Sequence, residues 1–444
     1  MISACLDLSS YKNRIKNANL FTCAGKIVRV IGLTMEAKGI KPFIGELCLI
    51  EIPGQEKELL AETLGFREGY SILMPLGDPK GIAPGCNVFT TRTTFKIKVG
   101  PELLGKVLDS LGEVMNSAPG GCCDQYYPVQ NEPIHPLKRR PIRTILETGI
   151  KAIDAFMTCG IGQRMGIFAG SGVGKSTLLG MIARHSSADV NVIALIGERG
   201  REVLEFIEND LGKEGLSRSV VVASTSDQPA LLRVKGAFVA TAIAEYFRDQ
   251  GYNVLLMMDS VTRYAMAQRE IGLAVGEPPT TKGYTPSVFA MLPKLLERAG
   301  NFENASITGL YTVLVDGDDM NEPIADAVRG ILDGHIILSR EIAAQNCFPA
   351  IDVMNSISRL MPVLAGEEQQ ALAARARNYL ALYHRNQDLI NIGAYKKGSN
   401  EEIDKAIALY QEIRNFLQQD IHESFDYNAA VGGLYQALGE GERN

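Results

Sequence analysis

Ala169-Gly170-Ser171-Gly172-Val173-Gly174-Lys175-Ser176 is the stretch that decides the fold. Ahead of it, 165–168 is a short apolar run of strand type. Behind it, 177–185 carries Leu178, Leu179 and Ile182 at helical spacing, with Met181 beside them. Strand, glycine-rich turn and helix, in that order, are the setting of a phosphate-binding P-loop. Gly170, Gly172 and Gly174 let the backbone wrap closely around phosphate oxygens, where a Cβ would obstruct. The amides of this turn, those of Ser171 and Val173 included, then face an anion at the start of a helix whose dipole favours it. Lys175 is expected to reach the β- and γ-phosphates and the Ser176 hydroxyl to ligate Mg²⁺, with Thr177 completing the contact stretch. Ala169 stands where the strict pattern has its first glycine, and a small residue serves there.

A chain of 444 residues has room for two or three domains. Its composition, 46% hydrophobic and 22% charged, is that of a globular protein. No apolar run reaches the ~18 residues of a membrane span. The first residues, Met1-Ile2-Ser3-Ala4, lack the pattern of a secretory signal, so a cytoplasmic protein is expected. The eight cysteines are scattered, only Cys122 and Cys123 being close, which suggests neither zinc nor a disulfide framework. A net charge of −6 speaks against a nucleic-acid partner.

Short apolar runs at 25–32, 47–51, 70–76 and 88–91, punctuated by glycine and proline, suggest a small N-terminal β-barrel over 1–95. Residues 1–20 read either as a short amphipathic helix or as an unfixed tail. In the connector that follows, 103–111 has helical spacing, and Lys138, Arg139, Arg140 and Arg143 read as a solvated basic cluster. From 150 to about 360, continuous apolar runs alternate with helical segments, the pattern of a mostly parallel sheet covered on both faces. The last 80 or so residues are helical. Leu372, Ala376, Tyr379, Leu380 and Tyr383 mark one apolar face, and Ile403, Ile407, Tyr410, Ile413 and Leu417 another, with Ser399 or Asn400 as the N-cap between them.

A nucleotide with Mg²⁺ needs a second anchor. Val254-Leu255-Leu256-Met257-Met258-Asp259 supplies one, a buried strand ending in a carboxylate that can hold the metal beside Ser176. Hydrolysis also needs a group to position water. Glu198 follows an apolar strand directly, on a strand expected beside that of the P-loop, with Arg199 and Arg201 near enough to support it or the phosphates. On these residues alone Glu198 reads equally as a helix-start acid.

The segments 166–180, 193–211, 257–263, 283–289, 316–323 and 332–335 resemble the flagellar export and type III secretion ATPases, relatives of the catalytic subunit of rotary ATP synthase. The resemblance runs over nearly the whole chain and is most specific between about 140 and 365. It implies an α/β, RecA-like P-loop NTPase core (96–365) with an N-terminal β-barrel (1–95) and a C-terminal helical domain (366–444). It implies that Lys175 and Ser176 hold phosphate and Mg²⁺, that Asp259 supports the metal, and that Glu198 activates water with Arg199 as its companion. Arg359, in Ser356-Ile357-Ser358-Arg359, matches the arginine that enters a neighbour's site, and Phe348 the aromatic that stacks on adenine.

The same resemblance implies a homohexamer that hydrolyses ATP to energise protein export at the cytoplasmic face of the inner membrane. Its implied partners are a stator-like regulator, a central stalk protein, the export gate and chaperone–substrate complexes. The acidic stalk-contacting loop of ATP synthase has no counterpart in Gly393-Ala394-Tyr395-Lys396-Lys397-Gly398-Ser399, a stretch that leans flagellar, whereas Asp318-Asp319-Met320-Asn321-Glu322-Pro323 leans towards the injectisome branch. The alternatives are a rotary ATP synthase catalytic subunit and a hexameric RNA translocase. The missing acidic loop counts against the first. The acidic charge, and the want of a basic-aromatic platform in 1–95, count against the second.

Overall fold

The computed structural model describes residues 24–116, 123–315, 317 and 319–439. The expectation for 1–20, Cys122, and the Asp316 and Asp318 side chains lie outside the described residues. Contacts divide the chain into Met1–Phe95 and Lys96–Asn444.

In the first unit the strands pair antiparallel into a closed barrel. Strands β1 (Ala24–Ile31), β2 (Thr34–Lys38), β3 (Glu46–Glu51), β4 (Leu59–Arg67), β5 (Tyr70–Pro75) and β6 (Asn87–Thr94) close in the order β1-β2-β5-β4-β3-β6. Ile27, Met35, Cys48, Ile50, Leu73 and Val88 fill the interior. The β4–β5 turn has two residues, Glu68 at φ 49° and Gly69 at φ 80°, the left-handed pair that matches the twist of a tight hairpin. Closure leaves the barrel no free edge.

The second unit opens with β7 (Lys96–Val99), β8 (Val107–Leu108) and β9 (Gln125–Pro128), then β10 (Ile145–Leu146), α1 (Lys151–Phe156) and β11 (Cys159–Gly160). Its main sheet adds β12 (Arg164–Ala169), β13 (Val190–Glu198), β14 (Ser219–Thr225), β15 (Val254–Asp259), β16 (Gly300–Asn301), β17 (Ser306–Leu314), β18 (Gly334–Leu338) and β19 (Ile357–Ser358). The order is β19-β18-β12-β17-β15-β13-β14-β8, parallel from β18 to β8. Every residue of β13 and β15 is buried, as their apolar runs at 192–196 and 254–258 require of strands covered on both faces. The covering helices include α2 (Lys175–His185), α3 (Gly200–Glu205), α4 (Gly212–Ser217), α5 (Ala230–Asp249), α6 (Val261–Val275) and α7 (Pro286–Leu296). Beyond them come α8 (Pro323–Ile331), α9 (Arg340–Ala344) and α10 (Met361–Leu364).

The C-terminal helices are α11 (Glu367–Asn391), α12 (Glu401–Leu417) and α13 (Tyr427–Ala437). Asn400 is the N-cap of α12, its side chain accepting from Glu402 N at 2.9 Å and Ile403 N at 3.2 Å. Leu372, Ala376, Ile413, Phe416 and Leu434 join the same apolar core as α1 and α2. The helical segment is therefore anchored by burial to the sheet layer that carries the glycine turn.

Three expectations are corrected. The helical spacing at 103–111 gives a 3-10 turn, Pro101–Leu103, and then β8, which joins the sheet edge beside β14. Gly105, at φ 78°, breaks the helical path, and pairing with the sheet buries Val107 and Leu108 instead. Arg139 is not a solvated member of its cluster. It pairs with Glu297 at 3.2 Å and donates to Ala299 O at 3.2 Å, clasping the connector onto the sheet layer. Nor does β13 neighbour β12, because β17 and β15 lie between them.

Candidate active site

The parallel strands deliver their C-terminal ends to one edge of the sheet, where α/β folds bind ligands. β12 ends at Ala169 and passes through the glycine turn into α2. Gly172 and Gly174 have φ of 78° and 85°, a conformation that β-carbon-bearing residues resist. A Cβ on Gly170 would lie 2.5 Å from the Arg340 Nε, so the guanidinium of Arg340 rests directly on the turn. Val173 is buried and contributes its backbone alone. Gly170, Ser171, Gly172, Gly174, Lys175, Ser176 and Thr177 line a cleft of about 270 Å³.

Asp259 ends β15 and Glu198 ends β13. The register of β13 against β14 shifts between Ile196 and Glu198. Gly197, at φ 71°, sits in that bulge, and a Cβ there would meet the Arg263 side chain at 2.9 Å. The bulge thus turns Glu198 into the cleft and leaves Arg263 a path across it.

Both acids face Lys175. Its Nζ forms an ion pair with Asp259 and lies 3.9 Å from Glu198 Oε1. Thr312 on β17 donates its hydroxyl to Asp259 Oδ1 at 2.7 Å. Arg263 donates to Gly197 O at 2.7 Å and to Glu198 Oε2 at 3.3 Å. Burial, the charge of Asp259 and a hydrogen bond with Glu202 push the Glu198 carboxyl up to about 7, against the pull of Lys175 and Arg263. The shared hydrogen bond and the nearby Arg199 hold Glu202 below the ordinary carboxylate range. A buried carboxyl that titrates near neutrality, beside a half-exposed acid, can take a proton from water and pass it outward.

The other expected residues are placed as follows. Arg199 lies at the rim, its side chain 73% exposed, and pairs with Glu202 at 3.1 Å, so it is Arg263 that touches Glu198. Phe348 is 40% exposed beside the turn, its ring 3.5 Å from where a Gly174 Cβ would stand. Arg359 is exposed just beyond β19, at the far edge of the sheet, its Nη2 3.4 Å from Arg329 O, and does not line the cleft. Sequence reasoning missed the roles of Arg263, Glu202 and Thr312. Arg263 carries a usable signal, since Ser260 caps α6 by accepting from Arg263 N at 3.3 Å, which puts Arg263 in the first turn directly after Asp259. Thr312 carries none, because it is one polar residue in a buried strand.

Three family models match the chain. They are the ATP synthase alpha/beta family β-barrel domain over 27–92, the nucleotide-binding domain of the same family over 149–358, and the T3SS EscN ATPase C-terminal domain over 365–436. The chain is 56% identical over 423 residues to the flagellum-specific ATP synthase of Bacillus subtilis, covering 94% of this chain and 96% of that one. To the type 3 secretion system ATPase of Xanthomonas euvesicatoria it is 51% identical over 397 residues, 89% of each chain. The structure of the assembled ATPase EscN with its central stalk EscO, from the enteropathogenic E. coli type III secretion system, superposes with a TM-score of 0.86 at 47% identity, covering 93% of this chain and 100% of that chain.

Proposed function

The chain belongs to the flagellar and type III secretion ATPases, and on that premise we propose how its cleft hydrolyses ATP to energise protein export. The observation that carries the reading is Glu198, almost buried and facing Lys175 where a γ-phosphate would lie.

The amides of 170–174 and Lys175 hold the triphosphate. Ser176 and Asp259 offer one hydroxyl and one carboxylate, hard oxygens that would hold Mg²⁺ together with phosphate and water oxygens. When bound, that ion neutralises charge on the β- and γ-phosphates. Glu198 orients the attacking water and accepts its proton. Glu202, hydrogen-bonded to Glu198 and 36% exposed, offers the way out to solvent. Arg263 fixes Glu198 and adds positive charge beside it. Phe348 supplies the face on which adenine stacks.

Charge developing on the transferred phosphoryl group needs a further cation. Arg359, exposed beyond the last strand, is suited to reach the cleft of a neighbouring copy. Identical subunits in a ring, taken to be a hexamer, thereby complete each other's sites. We further propose a central stalk partner, as in the EscN–EscO assembly, together with a stator-like regulator, an export gate, and chaperone–substrate complexes. The place of work is the cytoplasmic face of the inner membrane. No helix among the described residues is long and apolar enough to cross a membrane.

Glu198→Gln tests the reading. The amide is isosteric but accepts no proton, so ATP binding and assembly should persist while turnover falls by about 10²–10⁴. Loss of binding together with turnover would assign Glu198 a structural role.

A further inference from the structure

One glutamine outside the cleft joins the segment after α12 to the entry of α1 and to Phe348. Gln419 lies two residues beyond the end of α12 and is 6% exposed. Its side-chain nitrogen donates to Gly149 O at 2.7 Å and to Glu423 O at 2.9 Å, and its side-chain oxygen accepts from Lys151 N at 3.0 Å. Its backbone N–H donates to Phe348 O at 2.9 Å. Both amide protons and the amide oxygen are thus used, a pattern that fits neither glutamate, which has no donor, nor an apolar residue.

The partners matter because of what they adjoin. Gly149, at φ 77°, packs so closely on the end of α2 that a Cβ would lie 2.5 Å from that of His185. α2 is the helix that begins with Lys175. Lys151 begins α1. Phe348 leans on Gly174, the N-cap at the other end of the same helix. A single buried side chain therefore fixes the helical segment to the entry of α1, and the adjoining peptide fixes Phe348 over the glycine turn.

We propose that Gln419 is a positioning residue for the nucleotide base. It sets the height of Phe348 above the P-loop and couples base affinity to the seating of the C-terminal helices. The proposal rests on the reading of Phe348 as the adenine-stacking wall. It makes a base-selective prediction, because the Gln419 side chain reaches the phosphate-binding residues only through the fixed end of α2, whereas the backbone N–H that this side chain holds in place bonds the Phe348 carbonyl directly.

The test compares two ligands by titration calorimetry on the full chain, a non-hydrolysable ATP analogue and tripolyphosphate, each with Mg²⁺. Gln419→Leu removes the three side-chain hydrogen bonds that anchor this peptide and leaves its backbone bond to Phe348 O in place, so the ATP analogue should weaken about tenfold as Phe348 loosens while tripolyphosphate stays within about twofold. Phe348→Ala should show the same selectivity, and the double variant should bind the ATP analogue no worse than Phe348→Ala alone, because both changes remove one interaction. Equal weakening of both ligands by Gln419→Leu, no weakening of either, or additive losses in the double variant would each overturn the proposal. If Phe348→Ala is itself unselective, the stacking reading fails, and the Gln419 result shows separately whether that residue acts on the base. If Gln419→Leu does not fold, Gln419→Asn keeps the amide one methylene short. It should show the same selectivity at a smaller size, and an unselective result would overturn the proposal equally.

Discussion

Replacing Arg263 with alanine removes the guanidinium that crosses the bulge at Gly197 and meets both oxygens of Glu198 at 3.3 Å. A unit charge at about 4 Å is worth about 4 kcal/mol at an effective dielectric near 20. The Arg263 side chain is 31% exposed and Lys175 shares the task, so screening leaves about 1–2 kcal/mol, roughly a tenfold bias in the ionisation of Glu198. Glu198 already stands at about 7 because it is buried beside Asp259, and losing a cation raises it further. At pH 7 its ionised share should fall from about one half to about one tenth. The loss of a preorganised positive group facing the phosphates adds about 10²-fold. Turnover at pH 7 should therefore fall by about 10²–10³, of which roughly fivefold returns near pH 8.5 as Glu198 ionises again. Phosphate release measured from pH 6 to 9 for wild type and Arg263→Ala separates the two parts. An Arg263→Ala profile whose acid limb does not move to higher pH would refute the electrostatic argument. Turnover within fivefold of wild type would refute the role itself.

Glu202→Gln should move the acid limb the opposite way. Its amide donates to Glu198, favours the ionised carboxylate, and raises kcat/KM near pH 6 relative to the plateau; a pH–rate series checks this. Arg298→Leu strips the partner from Glu245 in an ion pair whose side chains are 0% and 4% exposed. Urea unfolding should show a loss of about 3–5 kcal/mol, and a loss under about 1 kcal/mol would mean that water enters the site.

The sequence made the glycine turn, the strand-borne Asp259 and the helical C-terminus legible because each is written in neighbouring residues. Turn chemistry, buried strands and helical faces are local patterns. The order of the sheet is not local, and the expected adjacency of β12 and β13 failed because β15 and β17 insert between them. Arg199 drew attention through its place next to Glu198, yet as the extended N-cap of α3 it lies at the rim, while Arg263 arrives from another helix. Arg139 looked solvated within a run of basic residues, but its partners at 297–299 lie more than 150 positions away. The export reading prevails over the rotary-synthase alternative through the named relatives and the C-terminal match at 365–436, the segment in which the acidic stalk-contacting loop has no counterpart.

The central claim is that one chain carries two halves of an active site, Lys175 and Glu198 in one cleft and Arg359 for the next. The direct measurement is steady-state ATPase activity of mixed variants. Lys175→Ala and Arg359→Ala, each expected to be nearly inactive alone, are combined over a range of ratios under conditions where ring assembly is confirmed by sedimentation. Interfaces that pair an intact Lys175 with an intact Arg359 should restore a fraction of wild-type turnover that peaks near equal proportions and vanishes on dilution to monomers. A mixture no more active than its separate components, in confirmed rings, would contradict the claim, as would turnover per subunit independent of concentration in a monomeric preparation.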